Sequence, residues 1–172
     1  MPVSRHVALF GAALALAAAT PDLAAGFDSA IKNNSLALSP NGRTAAASNS
    51  DEGRVLVYDV TSGKLSRTLP GFVTPRNIVF SPDGARFYVS DSGTGRVTAH
   101  GTATGKETMA LAAGPGAFGT VLSADGGTLY VNNQASSTVA VFDTKTGLPK
   151  AVVSGFDQPR QGVRLSPDGG TL

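Results

Sequence analysis

Ser81-Pro82-Asp83-Gly84, followed by Arg86-Phe87-Tyr88-Val89, decides the reading of this chain because it returns. Ser39-Pro40-Asn41-Gly42, Ser123-Ala124-Asp125-Gly126 and Ser166-Pro167-Asp168-Gly169 follow one another at intervals of 42, 42 and 43 residues (81−39, 123−81, 166−123). Each tetrapeptide is a turn for stated reasons. Proline at the second position presets φ at about −65°, Asp or Asn bonds the local backbone, and glycine accepts the positive φ that closes a hairpin. In the second copy Asn77-Ile78-Val79-Phe80 precedes the turn and Arg86 to Ser90 follows it, so it joins two strand-like runs. Arg96 to His100 and Glu107 to Leu111 complete four such runs. The last two are linked by glycine turns at Thr61-Ser62-Gly63-Lys64, Thr104-Gly105-Lys106 and Thr146-Gly147.

A period of about 40 residues holding four short strands is the mark of β-propeller blades, each a four-stranded antiparallel sheet packed between neighbours. Val55-Leu56-Val57-Tyr58-Asp59 and Val139-Ala140-Val141-Phe142-Asp143 are apolar on both faces, as a sheet covered on both sides must be. The predicted class is all-β, with about three and a half blades of a partial, open propeller: repeats near 33–74, 75–116 and 117–159, and a partial one at 160–172. Looser packing is expected at two places. Thr44-Ala45-Ala46-Ala47-Ser48 replaces the aromatic strand of the first repeat, and Val97-Thr98-Ala99-His100-Gly101 lacks the aromatic and Asp of its sisters. Propellers close with about four to eight blades. The chain reaches Thr171-Leu172 inside a second strand, so a segment of a larger propeller is expected. The alternative is a short chain that completes a ring by association through open blade edges.

Composition agrees with a turn-rich β protein. Charged residues make up 15% and hydrophobic ones 41%, with 21 Gly and 10 Pro in 172 residues, which suits neither a helical bundle nor disorder. A net charge of +2 is too small to indicate nucleic acid. The lack of cysteine excludes disulfides, thiolate chemistry and Cys-ligated metal or haem.

Residues 1–25 read as a signal peptide. Arg5 and His6 precede an apolar run from Val7 to Ala19, and small residues at Ala17-Ala18-Ala19 and Ala24-Ala25 offer two cleavage points. Thirteen apolar residues are too few to cross a bilayer comfortably, so no transmembrane segment is expected after signal removal. The mature chain, 26–172, is expected to be exported, to the periplasm or outside the cell.

Tyr88-Val89-Ser90-Asp91, Tyr130-Val131-Asn132-Asn133, Val139-Ala140-Val141-Phe142-Asp143-Thr144 and Gly71-Phe72-Val73-Thr74-Pro75 together resemble the YVTN-type β-propeller repeat family. The resemblance covers nearly all of 33–172, and the first repeat departs from it at Thr44 to Ser48. It implies a seven-bladed ring in exported proteins, commonly without an assigned activity, with lactonase-like propellers as architectural relatives.

Antiparallel order places the first-to-second and third-to-fourth turns at one end of each blade. The second-to-third loops and the inter-blade links lie at the other. The turns are nearly identical between copies and the loops are not, so the loop end is the candidate binding face. First strands line a propeller's channel, which puts Arg76 and Arg160 near its mouth, where two guanidinium groups suit a carboxylate or phosphate. Asn77, Asp91, Asn132, Asn133 and Gln161 are candidate polar contacts beside them. The plainer reading pairs the arginines with loop acids such as Asp91 or Asp157, or turns them to water, and leaves the amides as ordinary turn residues.

No catalytic residue, metal site or cofactor is predicted. Asp83, Asp125 and Asp168 are explained by turns, Asp59 and Asp143 by a repeated strand end, and no spacing matches a Ca²⁺ loop. His100 stands where Tyr58 and Phe142 stand and reads as packing. A Gly-x-Ser-x-Gly elbow, a phosphate loop and a dinucleotide fingerprint are all missing, and zero Trp disfavours WD40 repeats. The expected function is a binding or scaffold module for a small molecule, peptide or surface partner. The alternative is a lactonase-like or other propeller hydrolase whose catalytic residues lie in further blades.

Overall fold

The computed structural model describes residues 34–172; the predicted signal peptide lies outside them. Twelve strands form three four-stranded antiparallel sheets, each a meander of consecutive strands. Blade one holds β1 (Leu36–Leu38), β2 (Thr44–Asn49), β3 (Arg54–Asp59) and β4 (Lys64–Leu69). Blade two holds β5 (Pro75–Phe80), β6 (Arg86–Asp91), β7 (Arg96–Gly101) and β8 (Glu107–Ala112). Blade three holds β9 (Ala117–Leu122), β10 (Thr128–Asn133), β11 (Thr138–Asp143) and β12 (Pro149–Val153), with a 3-10 turn at Gln134–Ser136. β1 and β2 pack on β5, and β5 and β6 pack on β9, so first strands lie innermost and fourth strands outermost. That is the radial order of a propeller. In the fourth repeat the Ser166 to Gly169 turn forms, without a strand after it.

The turn chemistry is the same in every copy. The Ser39, Ser81, Ser123 and Ser166 hydroxyls donate to Oδ1 of Asn41, Asp83, Asp125 and Asp168 at 2.8, 2.5, 2.5 and 2.5 Å. Each hydroxyl also accepts the N–H of the residue five places on, Thr44, Arg86, Thr128 or Thr171, which opens the next strand in the first three copies. The serine bond and a backbone N–H hold the Asp83, Asp125 and Asp168 carboxyls below the usual carboxylate range. Turns also stack between blades. A Cβ on Gly126 would meet Pro82 Cδ at 2.8 Å, and one on Gly84 would meet Pro40 Cδ at 3.5 Å.

Two cores fill the inter-blade spaces. Ala46, Val55 and Val57 of blade one meet Ile78, Phe80, Phe87 and Val89 of blade two. Tyr88, Val97, Ala99 and Leu111 on the opposite face meet Leu129, Val131, Ala140 and Phe142 of blade three. Alternation along β6 thus sends Phe87 and Val89 one way and Tyr88 the other. A register shift recurs between Val57 and Tyr58, Ala99 and His100, and Val141 and Phe142, so the bulge belongs to the repeat.

Neither expected weak place is open. β2 pairs with β3 over all six residues, and Ala46 is fully buried because Phe80 and Phe87 from the next blade occupy the space its small side chain leaves. His100 stacks on Phe87 at 5.5 Å and lies 5.8 Å from Phe72, so the imidazole takes the aromatic slot of its sisters. Its ring nitrogens lie 3.1 Å from the Gly105 carbonyl and 2.9 Å from the Thr98 hydroxyl, and burial pushes its pKa down.

Candidate binding face

At the loop end the last residue of each second strand is buried and polar: Asn49, Asp91 and Asn133. The three close their loops differently. Asp91 is a carboxylate hub, 4% exposed, accepting the N–H groups of Val73 and Thr74 at 2.8 Å from Oδ2 and Oδ1. Oδ1 also accepts from Gly93 and Thr94 at 3.0 and 3.3 Å. Asp91 thereby ties the link into blade two to the loop leaving it. Asn49 instead accepts from the Glu52 N–H and donates to the Glu52 carboxylate, which also pairs with Arg54. Asn133 donates to the Ala113 carbonyl at 2.8 Å and leaves its Oδ1 unpartnered in the interior.

One residue earlier a clamp repeats across blades. The Ser48 hydroxyl donates to the Arg76 carbonyl (2.8 Å), the Ser90 hydroxyl to the Phe118 carbonyl, and the Asn132 amide to the Arg160 carbonyl (2.7 Å). Every clamp spans 28 residues, from a second strand to β5, to β9 or, for Asn132, to the matching position of the fourth repeat. Such bonds satisfy inner-strand carbonyls that the antiparallel ladder leaves free. Thus the amide nitrogen of Asn132 works inside the fold, as do Asp91 and the amide nitrogen of Asn133.

The inner-strand positions behave differently. Arg76 is half-buried, donates from Nε to the Ser92 hydroxyl at 2.9 Å, and lies 5.0 Å above the ring of Phe118, the matching residue of blade three. The ion pair between Glu52 and Arg54 does not involve it, and no carboxylate pairs with it among the described residues. Arg160 and Gln161 are exposed, and Asn77 is half-buried with its N–H on the Ser90 hydroxyl. The structure therefore brings Arg76 and Ser92 together beside Phe118, while Asn77 is placed only through its backbone bond to Ser90. Sequence reasoning missed Ser92 and Phe118, although Phe118 sits 42 residues from both Arg76 and Arg160 and the repeat could have pointed to it.

Beyond Ser92 an open cleft of about 630 Å³ runs between the Gly93 to Arg96 loop and the Gly114-Pro115-Gly116 link. A second cleft, about 410 Å³, shares Gly116 and Ala135 with it and reaches Gln134, Ser137 and Gln158. Among the described residues no three His, Asp or Glu side chains group as a metal site would require.

The architecture is that of known propellers. Hydrazine synthase from Kuenenia stuttgartiensis matches over 84% of this chain and 42% of its own, at 25% identity and a TM-score of 0.75. A 6-phosphogluconolactonase candidate from Bacteroides uniformis matches over 78% and 44%, at 22% and 0.68. A protein of unknown function from Desulfotomaculum acetoxidans matches over 78% and 46%, at 17% and 0.67. The chain thus spans less than half the length of each. No family model matches it, and neither does any curated protein sequence. The protein is an all-β chain of propeller blades.

Proposed function

We propose that this chain is a non-catalytic, exported propeller module of the YVTN-repeat type, which holds an anionic ligand at its loop end with Arg76 as the anchor. One observation carries the reading: a half-buried guanidinium is oriented by Ser92 and Phe118, and no carboxylate among the described residues neutralises it. A guanidinium held in this way keeps further N–H donors for a carboxylate or phosphate, which it can bind bidentately. Arg160, at the matching position two repeats on with Phe118 between, is the second cation, and Asn77 and Gln161 are the adjoining polar contacts. Calorimetric titration with inorganic phosphate and with citrate tests it. Arg76→Gln is expected to weaken binding by about tenfold or more, the effect of losing a charge-assisted contact, with an unchanged circular dichroism spectrum. Equal affinity in the variant would remove Arg76 from the site.

Export rests on residues 1–25, and the mass of the mature N-terminus in a periplasmic or culture fraction tests it. Self-association through open blade faces rests on Leu36 and Leu38, which are 64% and 57% exposed on the side of β1 opposite Ala37. Sedimentation that shows a monomer at every concentration would end that part. The hydrolase reading draws on the fold likeness to the Bacteroides uniformis candidate; proton release from a lactone by the purified chain would favour it over the binding module.

A further inference from the structure

Among the described residues only two non-glycine residues have positive φ: Ser137 at 55° and Gln158 at 46°. They touch one another, the Gln158 N–H donating to the Ser137 hydroxyl at 3.3 Å, and both line the 410 Å³ cleft. The scaffold itself does not ask for side chains there. Ser137 occupies the position of Gly53 and Gly95, and Gln158 that of Gly116, glycines at φ 60°, 69° and 74°. A side chain in the left-handed region is unfavourable by about 1 kcal/mol, and such outliers gather at binding sites. Ser137, and Gln158 by comparison with Gly116 though not with Thr74, thus hold side chains in a conformation that the repeat elsewhere gives to glycine.

Their chemistry is specific. The side-chain amides of Gln134 and Gln158 have no hydrogen-bond partner within the described chain, and each offers one acceptor and two donors. Arg96 in the adjoining cleft has no carboxylate partner either. Ala112, Pro115 and Ala135 supply small apolar walls, and no aromatic ring lines either cleft. Unpaired amides that both give and take hydrogen bonds match the peptide unit, which has one donor and one acceptor per residue. The lone cation adds a preference for a carboxylate.

We propose that the two joined clefts form a subsite for an extended peptide segment carrying an acidic side chain, with Gln134 and Gln158 on its main chain and Arg96 on its carboxylate. This rests on the anion-binding reading above and extends it outward from Ser92. The test is amide chemical-shift mapping of the full chain with three probes: sodium acetate, N-acetylglycine N-methylamide and N-acetylaspartate N-methylamide. Both amide probes are expected to shift the Gln134 and Gln158 side-chain signals together with Gly116 and Ser137. The aspartate probe should add Arg96 and bind about tenfold more tightly than the glycine probe. In Gln158→Gly the affinity for both amide probes should fall at least threefold while the melting temperature holds or rises, because glycine suits that φ; a purely structural role would leave affinity unmoved. Acetate shifts at Ser92 and Arg76 without any amide-probe response at Gln134 or Gln158 would overturn the peptide subsite and leave the anion site standing. No response to any probe would overturn both.

Discussion

The two ends of the blades face the same problem, reversing a strand, and differ in how they meet it. At the turn end four copies repeat one arrangement, with the Gly N–H on the Ser carbonyl at 2.8 Å in each and φ of the glycine between 68° and 71°. At the loop end Asn49, Asp91 and Asn133 close three loops in three ways, one with an ion pair, one with a carboxylate hub and one with a 3-10 turn. The first three turns stack on one another through Pro40 and Gly84 and through Pro82 and Gly126, and the fourth keeps the same geometry without such a contact at Gly169, so the turn's own bonds set its shape and stacking adds to them. Loops free of that stacking can diverge. Variation inside one chain thus separates residues that build the ring from residues available to a ligand.

The largest effect that would sharpen this contrast lies at Asp91. Asp91→Ala removes the acceptor from four backbone N–H groups in a nearly closed site. Unmade buried bonds of this kind cost about 2–4 kcal/mol in total. Asn133→Ala, at the matching place, loses chiefly one bond to Ala113 and should cost about 1 kcal/mol. Urea unfolding measures both, and equal losses would mean that the loop end is as uniform as the turn end. Next comes Gly126→Val, which adds a left-handed β-branched residue and a 2.8 Å clash with Pro82, for a loss of about 2 kcal/mol. Gly84→Val has the same φ but only a 3.5 Å contact with Pro40, so about 1 kcal/mol is expected. If the two cost the same, turn stacking contributes nothing.

Much of the fold was legible because the repeat supplies several readings of one structure. Ser81 to Gly84 announced its turn through Pro, Asp and Gly, and its sisters set the strand count and spacing. Strand ends were less visible: β5 starts at Pro75, two residues before the apolar run, because backbone pairing of Pro75 with Asp91 leaves no apolar mark. Packing at Thr44 to Asn49 and at His100 was misjudged for a related reason. Ala46 is covered by Phe80 and Phe87 of the next blade, and His100 by Phe87 of its own blade and Phe72 of the link before it, which a repeat-by-repeat reading cannot see. At the candidate site Arg76 was legible as a cation on an inner strand. Its support was not, since Ser92 and Phe118 are brought to it by separate elements, and the partnering of Asp91 and Asn132 is visible only across blades.

A smaller effect concerns pH. His100 lies in the interface of blades one and two, where desolvation lowers its pKa from 6.5, against smaller opposing influences from the Gly105 carbonyl and Glu107. In the unfolded chain the imidazole takes its proton at about pH 6.5, before the folded one does. Stability from this site is therefore complete above that value and declines as pH falls below it toward the lower folded pKa. The turn aspartates have carboxyls held below the usual range, so their contribution is lost progressively as pH falls through about 3.8, at the acid edge of the His100 window. Between pH 4 and 7, His100→Phe is expected to flatten the fall of melting temperature, by giving blade two the residue that blade three has at Phe142. An unchanged slope would place the titrating group elsewhere.

The smallest expected effect is a gain. Blade three has Ala124 where the other three turns have Pro40, Pro82 and Pro167, yet its turn has the same Gly126 geometry and the same Ser123 bonds to Asp125 and Thr128. No backbone bond from the Ala124 N–H would be lost, since the turn is closed by the Gly126 N–H on the Ser123 carbonyl. A Cβ built on Gly169 finds open space where those on Gly84 and Gly126 meet Pro40 and Pro82, so there is room beside the Gly169 turn for a ring at 124. Ala124→Pro should then act through the unfolded chain alone, restricting φ there and raising stability by about 0.5 kcal/mol. A loss on urea unfolding would mean that the position is not held at the φ of its sisters, and that the sameness of the turn end stops at blade two.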